Sequence, residues 1–235
     1  MFNTFSKEWF TKHFGEKPSV AIIGNSANLL NEQIGTYIDS YDVVCRMNNY
    51  QIAPYESYVG KKTDLYVTSL FNKPGKSAEE LREQKVETVF VSRPMSVKYA
   101  YNVALGEMLK NYPKVKDFDP VFVSEKVFDE LYDHLNIKNE ANGKNPTSGL
   151  TFIRALLTEV ELDRVFVAGF DFFASAMGND AMHYYKGDQY DQNDEREKIR
   201  FFHPRNEEVK EFISLIKEKE NVLLSKGVAE SLSER

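Results

Sequence analysis

Short apolar runs and longer amphipathic segments alternate along the chain. The apolar runs predict buried strands at 19–24, 42–46, 64–68, 88–92, 121–123 and 164–168, with a last strand at 221–224. The segments with helical spacing predict helices at 27–34, 77–85, 96–112, 124–135, 148–158 and 205–220. This alternation is typical of a doubly wound, mostly parallel sheet, so the expected fold is α/β and Rossmann-like. No repeat or linker divides the sequence, and we expect one domain over residues 1–235.

Three segments depart from the alternation. Residues 1–17 mix aromatic and charged side chains, which predicts a short amphipathic helix, with interfacial membrane contact as the alternative. Residues 170–200 are polar and too long for an ordinary connection, which favours a lid or binding loop. The tail, 225–235, is expected to be frayed.

The amino-acid composition excludes or disfavours several classes of protein. The 235 residues are 42% hydrophobic, enough for a packed core, and the net charge of −6 argues against a nucleic-acid partner. Cys45 is the one cysteine, which excludes a disulfide within the chain and a multi-cysteine zinc site. Its place in a strand predicts a buried, inert thiol. The apolar runs are too short to cross a bilayer, and residues 1–17 lack the apolar block of a signal peptide.

Ligands of doubly wound sheets bind at the carboxyl ends of the strands, so the residues that follow strands are the first candidates. Gly24-Asn25-Ser26 follows the first strand, where a glycine lets a ligand approach and a helix N-terminus attracts phosphate. The alternative is an ordinary strand–turn–helix corner. Arg46-Met47-Asn48-Asn49 ends the second strand and offers amides to sugar hydroxyls or phosphate. The alternative there is a turn with a left-handed asparagine.

Three later segments carry further candidate chemistry, and each has an ordinary structural alternative. Thr147-Ser148-Gly149 opens a helix, either as a second anion site or as simple capping. His183-Tyr184-Tyr185 could donate to a phosphate or be exposed loop residues. His203 stands just before a helix, either as a general base whose proton affinity a nearby glutamate raises or as a cap.

The sequence gives little support to a dinucleotide site or to a metal site. The dinucleotide fingerprint keeps only its first glycine, and the second strand does not end in an acidic residue, which weakens the NAD(P)-binding alternative. Asp117-Phe118-Asp119 has the D-x-D form that holds a metal in some glycosyltransferases, but this pattern is common by chance. The histidines are scattered without zinc-site spacing.

The order of these segments resembles the sialylmotifs of CMP-sialic-acid-dependent sialyltransferases, glycosyltransferase family 29. Motif L is similar to 20–49, motif S to 145–170, motif III to 183–185 and motif VS to 203–208. Two further segments resemble the bacterial family 42, namely 58–62 and 169–172. The resemblance covers residues 19–220.

The resemblance implies a glycosyltransferase A-variant fold, a CMP-sialic acid donor, no cofactor, no essential metal and an inverting single displacement. It implies an oligosaccharide or glycolipid acceptor. His203 would be the catalytic base, and His183 and Tyr184 would support the departing phosphate, with Tyr185 as the other candidate. The implied donor-nucleotide contacts are Gly24, Asn25, Ser26, Asn48, Thr147, Ser148, Gly149 and Tyr185.

Departures from the animal members of family 29 affect what carries over. Cys45 cannot form their disulfide between motifs L and S, and we expect no counterpart of their membrane anchor. Both differences favour a bacterial-type enzyme in the cytoplasm, with peripheral association at the inner face of the membrane as a further expectation. The alternatives are a transferase using CMP-Kdo or another CMP-activated 3-deoxy-ulosonic acid, an NAD(P)-binding Rossmann protein, and a non-catalytic glycan-binding module.

Overall fold

The computed structural model describes residues 2–71, 75–95, 102–137, 144–174, 182–185 and 203–233. The strands are β1 (Asn3–Thr4), β2 (Val20–Ile23), β3 (Val43–Met47), β4 (Leu65–Thr68), β5 (Thr88–Val91), β6 (Val121–Phe122), β7 (Val165–Ala168) and β8 (Val222–Leu224). The helices are α1 (Lys7–Phe14), α2 (Gly35–Asp39), α3 (Glu56–Val59), α4 (Ala78–Glu83), α5 (Asn102–Asn111), α6 (Glu125–His134), α7 (Ser148–Glu159), α8 (Arg205–Ile216) and α9 (Lys226–Ser233). Short 3-10 helices occupy Ala27–Asn31, Tyr112–Lys114 and Lys116–Phe118.

The strands form one eight-stranded sheet in the order β1-β6-β5-β4-β3-β2-β7-β8. Every pairing is parallel. The chain runs from β2 outward to β6 and then returns to β7 on the other side of β2, so the strand order reverses between β2 and β7. This confirms the predicted α/β fold and places the topological switch point, where such sheets bind ligands, at the end of β2.

Both faces of the sheet are buried from β2 to β7, which explains why these strands are continuous apolar runs. Successive side chains of β2 point to opposite faces. Ile22 packs in a cluster with the helices on one face, and Ile23 packs in a second cluster with Leu29 on the other. Cys45 is fully buried in β3, so its predicted burial is confirmed, and this burial raises the pKa of its thiol well above the ordinary value.

The N-terminal segment belongs to the core. β1 pairs with β6 at one edge of the sheet, and α1 follows it with Ser6 as its N-cap. Trp9 and Phe10 are buried in the largest apolar cluster. The predicted helix is therefore present, and its largest rings face protein. In the described part of the chain, no helix has the length and apolar character to cross a bilayer.

Two predicted features are wrong in detail. The helix expected at 27–34 is only the 3-10 helix Ala27–Asn31, because the chain becomes extended at Glu32. Such a short helix has a small dipole, so it offers less to a phosphate than we expected. The tail expected to be frayed contains α9, which is held by burial of Val228 and by a hydrogen bond from Gly227 N to Glu32 Oε1 (3.3 Å). The proposed lid lies mostly outside the described residues.

Candidate active site

A cavity of about 510 Å³ opens at the carboxyl ends of the central strands. This volume suits a nucleotide-sized ligand. The cavity brings together segments that are far apart in sequence, and of the residues to which the family resemblance gives a role, Tyr184 alone is outside its lining. The predicted residues that line it are Gly24, Asn25, Ser26, Asn48, Thr147, Ser148, Gly149, His183, Tyr185 and His203.

The floor of the cavity is a close contact between the loops that follow β2 and β7. Gly24 N donates to Ala168 O (2.8 Å), and Ser26 N donates to Gly169 O (2.9 Å). A Cβ placed on Gly24 would lie 2.2 Å from the Gly169 carbonyl oxygen, far inside van der Waals contact. Glycine is therefore required here for the approach of protein backbone, in addition to any ligand contact that we predicted.

Three asparagine side chains line the cavity between β2 and β3. Asn25 Nδ2 donates to Met47 O (2.9 Å), which fixes the orientation of its amide. The Oδ1 atoms of Asn25, Asn48 and Asn49 are buried and have no hydrogen-bond partner among the described residues. Buried acceptors of this kind are normally satisfied, so these oxygens suit donors on a ligand, such as an exocyclic amine or sugar hydroxyls. Asn48 has a φ of 50°, so the predicted left-handed turn is also present.

A second wall is the N-terminus of α7. Thr147 caps this helix by accepting from Leu150 N (3.2 Å), as predicted. Thr147 also contacts Glu208, whose carboxyl accepts from Thr147 N (2.7 Å) and Oγ1 (2.9 Å). Burial raises the pKa of Glu208 to about 8 despite these bonds. Glu208 is therefore largely protonated at pH 7, and the positive end of the helix dipole keeps its attraction for an anion.

The segment 182–185 lies against the β2 corner. Ser26 and His183 form an antiparallel bridge, and Tyr184 N donates to Asn25 O (3.1 Å). His183 is stacked on Tyr185 with ring centroids 5.4 Å apart, and both line the cavity. The polar groups of these two side chains are therefore beside the glycine corner and the asparagines.

Two candidate side chains face elsewhere. The Tyr184 hydroxyl accepts from Gln51 N (2.8 Å) and also donates to Gln51 O, and burial raises its pKa to about 12. Its contacts support the protein framework rather than a phosphate. Arg46 is fully buried and donates to Val59 O, Lys62 O and the Thr63 hydroxyl instead of entering the cavity.

His203 stands at the rim, just before α8. Its Nδ1 lies 2.8 Å from Asn145 O, and its ring is stacked on Phe173 at 5.3 Å with a 5° interplanar angle. A carbonyl can only accept, so in this bond Nδ1 carries the proton and Nε2 of the neutral ring keeps its lone pair. Burial and the nearby charge of Arg93 lower the pKa of His203 to about 4, against the effect of the Asn145 bond. The expected rise caused by a nearby glutamate is wrong, because Glu208 contacts Thr147.

Comparison with known proteins decides the family. The sequence model of glycosyltransferase family 29 (sialyltransferase) matches residues 7–220. The chain belongs to glycosyltransferase family 29.

Curated alpha-2,3-sialyltransferases are similar to this chain at low identity. A mouse type 2 lactosamine alpha-2,3-sialyltransferase is 27% identical over 186 residues, which covers 70% of this chain and 53% of the relative. A human CMP-N-acetylneuraminate-beta-1,4-galactoside alpha-2,3-sialyltransferase is 28% identical over 180 residues, which covers 70% and 47%. The chain thus spans about half the length of the curated relatives it matches.

Solved structures share the fold. A mammalian sialyltransferase in complex with Gal-beta-1-3GalNAc-ortho-nitrophenol has a TM-score of 0.59 at 21% identity, covering 90% of this chain and 70% of that one. The sialyltransferase CstII from Campylobacter jejuni in complex with CMP-3FNeuAc has a TM-score of 0.53 at 16% identity, covering 88% and 79%. These similarities agree with the predicted sialyltransferase-type α/β fold.

The family resemblance gave no role to three further residues of the cavity, of which Asn145 and Asp171 lie in segments that it covers and Arg93 lies in none of the motifs. Arg93, Asn145 and Asp171 line it as well, and Arg93 is the one arginine or lysine among the described lining residues. Arg93 follows β5, and the rule that pointed to the ends of β2, β3 and β7 applies equally to that strand. The D-x-D aspartates lie at the opposite edge of the sheet. Asp117 pairs with Arg82, and Asp119 with Asn3 and His13.

Proposed function

We propose that this protein transfers sialic acid from CMP-sialic acid to a hydroxyl of a glycan, by a single inverting displacement with His203 as the general base. One observation carries the proposal. Two imidazoles, His183 and His203, line the same cavity as three buried asparagine oxygens and the N-terminus of α7. In a family 29 chain, this arrangement supports a cytidylate donor and a base within one site.

The base is prepared by its surroundings. With Nδ1 bonded to Asn145 O, the Nε2 lone pair of neutral His203 can take the proton of the acceptor hydroxyl. A pKa of about 4 keeps the ring neutral at pH 7, although it makes the ring a weak base. The donor carries a carboxylate and a phosphate, and these negative charges raise the pKa of a nearby histidine. The base would therefore gain strength once the donor is bound.

The transfer itself exchanges two bonds at the anomeric carbon. The acceptor oxygen bonds to that carbon while its proton passes to His203 Nε2. The bond from the same carbon to the CMP phosphate oxygen breaks, and CMP leaves with the electron pair. His183, Tyr185 and the first-turn N–H groups of α7 are the donors we assign to the departing phosphate. Because these groups supply the stabilising charge, we propose that the reaction needs no metal.

The names of the similar proteins suggest the acceptor. The mouse and human relatives are named for lactosamine and for a β-1,4-galactoside, with alpha-2,3 linkage. We propose a terminal β-galactoside as the acceptor class. The direct test incubates the protein with CMP-sialic acid and N-acetyllactosamine, and follows CMP release together with the sialylated product.

Parallel reactions with CMP-Kdo identify the donor, and omission of the acceptor measures simple hydrolysis. The proposal expects a sialylated product with the configuration opposite to that of the donor. Transfer only from CMP-Kdo, or binding of NAD in place of CMP, would overturn it.

A further inference from the structure

A hydrogen-bond cluster lies directly behind His203 and is centred on Asn145. The backbone oxygen of Asn145 accepts from His203 Nδ1 at 2.8 Å. The side-chain Oδ1 of the same residue accepts from Arg93 Nη1 at 2.5 Å and from the Tyr132 hydroxyl at 2.7 Å. One residue therefore holds the imidazole at one end and is itself held at the other by two side chains.

We propose that Arg93 and Tyr132 are positioning residues for the transfer reaction. They fix Asn145 and, through its carbonyl oxygen, hold His203 with Nδ1 protonated and Nε2 available to the acceptor. The proposal rests on the proposed function for its kinetic consequences, but the tautomer and orientation of the ring are properties of the free protein.

The two positioning residues are held in place by regular secondary structure and by packing. Arg93 lies two residues after the end of β5, and its guanidinium carbon lies 5.5 Å from the centre of the Phe71 ring and 5.7 Å from that of Phe128. Contacts of this kind hold the planar guanidinium in place. Tyr132 is a buried residue of α6. Asn145, in contrast, lies in a segment without regular structure before α7. The cluster thus ties the Asn145 carbonyl, which lies in a loop, to the sheet and to α6.

The geometry satisfies Asn145 Oδ1 completely. An amide oxygen has two lone pairs, and the Arg93 and Tyr132 donors occupy both. Loss of either donor would leave one lone pair of this partly buried oxygen unsatisfied and would let the amide turn. The carbonyl of the same residue would then lose its fixed direction, and His203 could change to the tautomer protonated at Nε2, which cannot accept a proton from the acceptor hydroxyl.

The charge of Arg93 has a second, measurable effect, which is on the pKa of His203. The positive charge of Arg93 lowers the pKa of His203, so removal of that charge should raise it. The other titratable groups that line the cavity, among the described residues, are Asp171 after β7, His183, Tyr185 and Glu208 on α8. Loss of the Tyr132 hydroxyl removes no charge and should leave this pKa nearly unchanged. The two residues can therefore be distinguished although they bind the same atom.

The first experiment records the imidazole nitrogens of ligand-free protein by ¹⁵N NMR, which is feasible because the chain has four histidines. The variants are Arg93→Met, Arg93→Lys and Tyr132→Phe. Arg82→Met is the matched control, since Arg82 also lies over a ring (5.7 Å from Phe118) but contacts Asp117 away from the cavity.

Wild type should show Nδ1 protonated at pH 7. Arg93→Met and Tyr132→Phe should add the other tautomer, and Arg93→Met should also raise the titration midpoint of His203 by roughly 1 pH unit. Arg93→Lys should keep the low titration midpoint of His203 but should add the other tautomer, as Arg93→Met does. Arg82→Met should match wild type in both respects.

The second experiment measures transfer by the same variants over pH. Arg93→Met and Tyr132→Phe should lower kcat by roughly 10- to 100-fold with little change in donor KM, because only the direction of the base changes. The acid limb of kcat/KM should move to higher pH in Arg93→Met alone. An unchanged tautomer and unchanged kcat in both variants would overturn the proposal. So would a rise in acceptor KM at constant kcat and tautomer, which would make Arg93 a substrate-binding residue.

If the proposed function is wrong, the two experiments would give a different combination of results. The NMR signature of wild type and variants would be as expected, while wild type would transfer sialic acid to no acceptor. In that case the cluster would still position His203, and the reaction would be misassigned.

Discussion

Three glycines provide a graded test of how the corner of the cavity is built. A Cβ at Gly24 would lie 2.2 Å from the Gly169 carbonyl oxygen and 2.9 Å from its carbon, so backbone must move. A Cβ at Gly149 would lie 2.5 Å from a ring carbon of Phe170, which can rotate away. A Cβ at Gly106, on α5, would meet nothing within 4 Å. Replacement by alanine should therefore have three different outcomes.

The magnitudes follow from these contacts. Gly24→Ala forces the loops after β2 and β7 apart, and overpacking against backbone costs about 3 kcal/mol of unfolding free energy. For a chain of this length that lowers Tm by about 6 to 12 °C. Gly149→Ala should cost about 1 kcal/mol but push Phe170 toward the cavity and weaken CMP binding. Gly106→Ala should raise stability by about 0.5 to 1 kcal/mol, because alanine favours the helix.

Thermal unfolding monitored by circular dichroism, with calorimetric CMP titration on the same samples, checks all three. The expected order of Tm is Gly106→Ala at or above wild type, then Gly149→Ala, then Gly24→Ala well below. A Gly24→Ala protein as stable as wild type would refute the reasoning, since it would mean that the two loops do not touch as described.

Other predictions address single groups. Glu208 has a folded pKa of about 8, above its unfolded value, so its contribution to stability is complete below pH 4.5 and is lost as the pH rises toward 8. His203, with a lowered pKa, acts in the opposite direction between about pH 4 and 6.5. Urea unfolding should therefore show wild type losing roughly 1 to 2 kcal/mol between pH 6.5 and 8 relative to Glu208→Gln. Parallel curves would contradict the buried, protonated carboxyl. Tyr184→Phe removes both bonds to Gln51, so it should lower unfolding free energy by about 1 to 2 kcal/mol and leave kcat near wild type. A fall in kcat at unchanged stability would instead give its hydroxyl a role at the phosphate. Transfer should proceed at the same rate in EDTA as in Mg²⁺, and loss of activity on chelation, restored by a divalent ion, would count against a metal-independent reaction.

The sequence pattern was sufficient for the central part of the parallel sheet because both faces of β2 to β7 are buried, which makes these strands visible as apolar runs. It missed β1, α2, α3 and α9. A two-residue strand such as Asn3–Thr4 exists only because β6 lies beside it, and α3 spans four residues, too few to show a helical period. The predicted length of the helix after Gly24 was also wrong, since the chain forms one 3-10 segment and becomes extended at Glu32.

The sequence predicted those residues of the candidate site that belong to a motif. It could not predict those whose place in the site depends on how side chains pack in the folded protein. His183 and His203 came from the order of the motifs, and the fold brings them to one cavity. The choice between Tyr184 and Tyr185 depends on which side chain faces Gln51, and the sequence does not contain that information. Arg93 follows a strand without any recognised motif, and its relation to Asn145 and His203 exists only in three dimensions.

Single-turnover transfer by His203→Gln, started by adding N-acetyllactosamine to preformed protein–CMP-sialic acid complex, tests the central claim most directly. Glutamine retains a polar side chain but cannot act as a base. The account predicts that the donor still binds and that the transfer rate falls roughly 10²- to 10⁴-fold below wild type. Transfer by the variant at the wild-type rate would contradict it.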